Sequence, residues 1–246
     1  TAIGEEIMKI AYFDCFSGIS GDMVLGALID AGLCLETLME ELDKLDLPGL
    51  TLTQEGVVRQ AVAGTYVKVH LCGSPIEAEN EHHFIPIAPR EQPSGALLRT
   101  PQAASNQHEH NRLEDILSLI EKSRLDESTR TQSIAIFHRL AQAEAEVHGV
   151  PVDQVHLHEV GALDAVVDIV GCVAGLRLLG VEKIYASPLH FGTGFVRCAH
   201  GRYPVPVPGV LALCRNVPSI QTDIRSELVT PTGAALITTL ASQFGP

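Results

Sequence analysis

Tryptophan is absent from the 246 residues, and the other aromatics are only four Tyr and seven Phe. The platforms on which single-strand and RNA binders stack bases are therefore scarce. Basic charge is short as well. Seventeen Lys plus Arg stand against 30 Asp plus Glu, a formal net charge of −13, and a field of that sign repels phosphate backbones and anionic membrane surfaces. Neither nucleic acid nor membrane is an expected partner. No CxxC pair occurs among Cys15, Cys34, Cys72, Cys172, Cys198 and Cys214, which argues against a zinc ribbon or a small disulfide framework and for reduced thiols in a cytoplasm. Long apolar runs are also missing. The longest uncharged stretch, Leu228 to Pro246, holds four Thr, a Ser, a Gln and two Pro, too polar and broken to span a bilayer.

What is present is ordinary globular material, 46% hydrophobic and 19% charged, enough for one large domain or two small ones. Met8-Lys9 reads as a natural start, with Thr1 to Ile7 an appended segment; the apolar stretch that follows carries Asp14 and is unlike a signal peptide. Lys9 to Phe16 predicts a short buried strand, and Val24, Leu25, Leu28 and Ile29 a helix stopped at Gly32. A second helix is expected over Glu36 to Leu45. Leu50 to Val58 and Thr65 to Cys72 alternate as two strands, with Ala63-Gly64 near the turn. Ser74 to His110 is rich in Pro and polar residues without apolar period, and reads as a linker. Beyond it, helices are expected over Arg112 to Lys122, Asp126 to His148 and Val160 to Leu179, the last apolar nearly all round and so buried. Strands at Lys183 to Ser187 and Phe195 to Ala199 precede a final helix after Pro231. The expected class is α+β: a small sheet-and-helix part over 8–73, a Pro/His-containing linker over 74–110, and a helix-rich α/β part over 111–246.

Several side chains are spaced for chemistry. His156 and His158 are two apart, on one side of an extended segment, with Glu159 adjacent. Two imidazoles and a carboxylate can converge on Ni, Zn, Fe or Mn; exposed His at a strand end is the plain alternative. Glu144 and His148, at i and i+4, sit one short loop upstream and can join them, or His148 can simply complement a helix C-terminus. His190 and His200 flank glycines that admit a ligand, whereas Cys198 reads as packing. Asp164 and Asp168 share one face of an otherwise apolar helix and need a metal, an Arg or a substrate amine. Asp164 can instead favour the helix N-terminus, an explanation that does not reach Asp168. Asp14, Ser17, Gly18, Gly21 and Asp22 form a turn whose N–H groups can meet a phosphate, although it lacks the P-loop lysine and Asp22 can be an N-cap. Thr230, Thr232 and Gly233 combine a cap with a possible phosphate site. His82, His83, His108 and His110, in the linker, suit weak metal capture.

Taken together, DCFSGISGDM from Asp14, HLHEVGALDAVVDIVG from His156, YASPLHFGTGF from Tyr185, AHGRYPVPVP from Ala199 and ELVTPTGAAL from Glu227 closely resemble the LarC family. The resemblance runs in consistent order from about Met8 to the C-terminus. It implies insertion of Ni(II) into pyridinium-3,5-bisthiocarboxylic acid mononucleotide, forming a nickel–carbon bond while CTP is cleaved to CMP and pyrophosphate. It also implies a further C-terminal region that binds CTP with a divalent metal, and a product that serves lactate racemase. On that reading Asp168, Glu159, Asp164 or a nearby His accepts the ring proton, and a homo-oligomer is expected. A non-catalytic nickel carrier and a metal-dependent phosphate-ester hydrolase are the competing expectations.

Overall fold

The computed structural model describes residues 8–59, 61–71, 112–157, 163–198 and 201–245, so the expected linker lies outside the described residues. The chain opens with β1 (Ile10–Phe13), then α1 (Gly21–Asp30) and α2 (Leu35–Leu42), which runs on into a 3-10 turn at Asp43–Leu45. β2 (Thr51–Arg59) and β3 (Val62–His70) form an antiparallel ribbon registered from Thr51–His70 to Arg59–Val62. The reversal thus falls between Arg59 and Val62, with Ala61 at a φ of 65°, and Ala63-Gly64 follows at the start of β3, near the turn as expected. Asp30 helps hold this arrangement. Its carboxylate accepts from the Thr65 N–H at 3.1 Å and the Thr65 hydroxyl at 2.6 Å, tying β3 to the end of α1.

The middle of the chain is helical: α3 (Leu113–Lys122), α4 (Glu127–His148), a 3-10 turn at Val152–Gln154, and α5 (Leu163–Leu178). Asp126 caps α4 by accepting from the Ser128 N–H at 2.9 Å, and Gly149 ends it in the left-handed conformation. As the sequence expects of a helix apolar on every side, α5 is almost wholly buried from Ala165 to Leu176. Each such Val, Ile or Leu contributes about 1.5–3 kcal/mol by leaving water. Gly171 and Gly175 bring α1 close to it. A Cβ at Gly171 would meet Leu25 at 3.0 Å, and one at Gly175 would meet Leu33 at 2.8 Å and Leu28 at 3.0 Å.

The remaining elements are β4 (Lys183–Ala186), β5 (Leu189–Phe191), β6 (Phe195–Cys198), β7 (Gly201–Pro204), α6 (Pro208–Leu213), β8 (Ser219–Gln221), α7 (Pro231–Leu240) and β9 (Gln243–Phe244). β1, β4 and β9 form a parallel sheet in that order; β5 pairs with β8 in parallel, and β6 with β7 antiparallel. β1 therefore takes its neighbour from the second half of the chain. A single apolar cluster joins Leu25 and Leu38 to Ile136, Val166, Leu189 and Leu236. The architecture is α+β, as expected. Among the described residues no helix is long and apolar enough to cross a membrane.

Thr129, Ser133, Ser187 and the charged Glu41 are the polar side chains buried with this core among the described residues. Glu41 on α2 pairs with Arg177 on α5 at 3.0 Å and with Lys44 at 2.6 Å, and Arg177 Nε donates to the Thr129 hydroxyl at 3.2 Å. Removing one member of a buried pair leaves the other charge uncompensated. Arg177→Ala is expected to cost about 1–3 kcal/mol and Lys44→Ala under about 1 kcal/mol, since only Arg177 also bonds the buried Thr129 hydroxyl. Thermal denaturation of the two variants checks this; equal losses would place both pairs in the weak surface class.

Candidate functional site

The chain leaves β1 through a turn, Asp14 to Ser20, that is held from several sides. Gly18 N–H donates to the Cys15 carbonyl at 3.0 Å, and Cys15 N–H donates to the Ser187 hydroxyl at 2.8 Å. Ile19 N–H donates to the Leu228 carbonyl at 2.9 Å, while Thr230 N–H donates to the Ile19 carbonyl at 3.1 Å, making a parallel bridge between Ile19 and Val229. Two glycines permit this approach. Gly18 has a φ of 86°, and a Cβ there would lie 1.8 Å from the Leu228 carbonyl oxygen; one at Gly233 would lie 2.1 Å from the Ile19 carbonyl oxygen.

The N-termini of α1 and α7 are thereby brought to the same turn. Thr230 caps α7 by accepting from the Gly233 N–H at 3.2 Å, with Pro231 next, as the sequence suggests; the Thr232 hydroxyl lies 3.3 Å from that of Thr230. The cap of α1 is Ser20, which holds the extended backbone and accepts from Met23 N–H. Asp22 is therefore not the cap that its position suggested; it is in the first helical turn and accepts from the Ser20 hydroxyl. Ser17 and Asp14 are exposed on the turn.

Carboxylates gather at this end of α1. Gly21 lies so close to Asp168 on α5 that a Cβ would sit 2.6 Å from Oδ2. Desolvation first, then the charges of Asp22 and Asp164, push the Asp168 carboxyl well above its ordinary range. Asp164, one turn earlier on α5, accepts from the Ala165 N–H at 2.9 Å. The thiol of Cys172 lies 3.4 Å from the Gly21 carbonyl and is pushed up by burial and then by Asp168 and Asp22. Burial, then Asp14, pushes the Cys15 thiol up to about 11. Both thiols stay protonated at neutral pH and are poor soft ligands in that form.

His190 on β5 meets the same turn from the other side, its Nδ1 lying 2.8 Å from the Phe16 carbonyl. A carbonyl only accepts, so Nδ1 carries the proton, and in the neutral ring Nε2 keeps its lone pair for a metal or a proton. The other candidates are elsewhere. Glu144 and His148 face each other across one turn at 3.4 Å, and Glu144 packs against Gly209 of α6. His156 is exposed, between buried Val155 and Leu157, and bridges to Arg112. His158, Glu159 and His200 lie outside the described residues, as do His82, His83, His108 and His110. Among the described residues no three His, Cys, Asp or Glu side chains group so as to hold a metal ion. The structure thus joins Asp14, Gly18, Gly21, Asp22, Asp168, His190, Thr230 and Gly233 around one turn. Sequence reasoning passed over Phe16, Ser20 and Ser187, which fix that turn; only the cap preference of Ser20, two residues before Asp22, was there to be read.

Known proteins supply the remaining information. A family model described as nickel insertion protein matches residues 11–246. A pyridinium-3,5-bisthiocarboxylic acid mononucleotide nickel insertion protein of Desulfitobacterium hafniense is 44% identical over 239 residues, 97% of this chain and 51% of that relative. A protein of the same name from Acetivibrio thermocellus is 42% identical over 241 residues, 97% of this chain and 53% of its own length. The chain spans about half the length of these relatives. No solved structure matches it. With the match running from β1 to the last residue, and with the glycines and carboxylates of the Asp14–Asp22 turn inside it, the chain belongs to the nickel insertion protein family.

Proposed function

We propose that this chain takes Ni(II) as substrate and places it into pyridinium-3,5-bisthiocarboxylic acid mononucleotide, as a nickel chelatase of the cyclometallating, lyase type. The observation that carries the reading is 44% identity across 97% of the chain to a relative bearing that name. Cleavage of CTP with a divalent cation, a CTP-binding region beyond this chain, a homo-oligomeric assembly, a cytoplasmic location and supply of lactate racemase belong to the same proposal. The metal is assigned to His156, His158 and Glu159; the Glu144/His148 pair, His200, and His190 at the Asp14–Asp22 turn are separate candidate donor positions. Imidazole and carboxylate hold nickel loosely enough for the softer thiocarboxylate sulfurs to displace them.

Forming a nickel–carbon bond at the ring requires that a ring C–H proton leave as the metal arrives. Asp168 is the proposed acceptor, with Glu159 and Asp164 as alternatives. A desolvated carboxylate beside two others binds a proton more tightly than an ordinary one, which makes its ionised form the stronger base. Calorimetric titration of nickel into this chain and into a His156→Ala/His158→Ala double variant tests the metal assignment. A tight stoichiometric site lost in the variant is the expected result; unchanged binding would remove nickel from the HLHE segment.

A further inference from the structure

We infer that Phe16 is the platform on which the substrate's pyridinium ring stacks, an inference that rests on the mononucleotide reading above. Among the described phenylalanines Phe16 alone is exposed, at 64% of its surface. It does not sit on a loose loop. Its carbonyl accepts from His190, the preceding Cys15 N–H is held by Ser187, and Gly18 N–H closes the turn on the Cys15 carbonyl. With its backbone fixed at so many points, the ring brings only its own side-chain rotation to be lost on binding.

The surroundings fit a flat cation better than a neutral apolar guest. Asp14 stands exposed two residues before Phe16, and Asp22 follows in the first turn of α1. The face of a phenyl ring is the negative end of its quadrupole, so a positively charged aromatic ring gains electrostatic attraction there as well as dispersion. His190 and Ile220 are registered partners on the parallel strands β5 and β8, so their side chains share one face, and Ile220 is 47% exposed. Ile220 thus stands beside the same His190 side chain that reaches the Phe16 carbonyl. His190 commits its Nδ1 hydrogen to the Phe16 carbonyl and so fixes the backbone that carries the ring. Phe16 is on this account a positioning residue: it orients the ring and selects for its charge, and carries out no bond change.

The test is equilibrium binding to this chain of two probes, a pyridinium-3-carboxylate mononucleotide and its reduced dihydropyridine counterpart, which has the same size without the ring charge. Wild type is expected to prefer the pyridinium. Phe16→Ala is expected to lose about tenfold or more in affinity for it and to bind both probes alike, whereas Phe16→Trp keeps the preference and Phe16→Leu loses it. Because the side chain is exposed, all three variants should melt with wild type. Pyridinium binding that is tight in wild type and unchanged in Phe16→Ala would overturn the platform while leaving the mononucleotide reading intact. A wild-type chain that binds neither probe overturns both.

Discussion

Gly18→Ala is expected to rank among the most damaging single methyls at the described glycines. Its backbone is left-handed at φ 86°, and the added carbon would lie 1.8 Å from the Leu228 carbonyl oxygen. The obstacle is backbone, so no rotamer change relieves it. Either the turn or the 228–230 segment must retreat, with loss of the Ile19–Leu228 and Thr230–Ile19 hydrogen bonds. Overpacking and an unfavourable φ together cost on the order of 3–5 kcal/mol. At roughly 2–4 °C per kcal/mol for a chain of this size, the melting temperature should fall by about 10 °C or more. Gly32→Ala is the internal control: it shares a positive φ, at 105°, but nothing stands within 4 Å of its Cβ position. It should show the conformational cost alone, about 1 kcal/mol. Equal melting shifts for the two would mean that the turn and the 228–230 segment are not locked together.

Asp168→Asn is expected to do the reverse, leaving a protein that is more stable at neutral pH and inactive. In the folded chain Asp168 is desolvated beside Asp22 and Asp164, and no described group donates to it. Its folded-state pKa therefore lies above the unfolded value of about 3.9. Between those two values the folded state binds the extra proton, so stability contributed by this group is complete below the unfolded pKa and falls away as pH rises through the folded one. Asparagine abolishes that loss. The gain should be on the order of 1–2 kcal/mol at pH 7, vanish in acid, and flatten the pH dependence of the melting temperature. If Asp168 accepts the ring proton, nickel insertion should drop by about a hundredfold or more in the same variant. A variant less stable than wild type at pH 7 would reveal a stabilising partner for the carboxylate. Full activity would pass the proton to Glu159 or Asp164.

The long elements were legible because each announces itself locally. α4 has Asp126 before it and Gly149 after it, and α5 has an apolar residue in nearly every direction. What escaped the sequence were pieces too short to display a period: β5, β7, β8, β9 and α6, of three, four, three, two and six residues. Apart from β7, which pairs with β6, their existence depends on partners far along the chain. The site shows the same division. Asp164 and Asp168 stand out because a helix that buries every other face should not carry carboxylates. Asp22 was drawn to the wrong role because a cap is defined by backbone angles, and Ser20 is the residue that takes them. Phe16 offered no signal at all, since an isolated aromatic reads as core until its exposure is known.

The distances along the chain between the parts of this turn also set when it can form. Phe16 and His190 are 174 residues apart, and the Tyr12 hydroxyl reaches the Gly245 carbonyl across 233. During synthesis β1 and its turn leave the ribosome first but have no partners until β4, β5 and the Leu228–Thr230 segment exist. At about 5–20 residues per second, the Phe16 carbonyl waits on the order of ten seconds or longer for His190. Contacts of such long range form late and slowly. The nascent chain therefore carries the turn that joins these distant segments as one of the last parts to settle, and that stretch is the one a chaperone would most profitably hold.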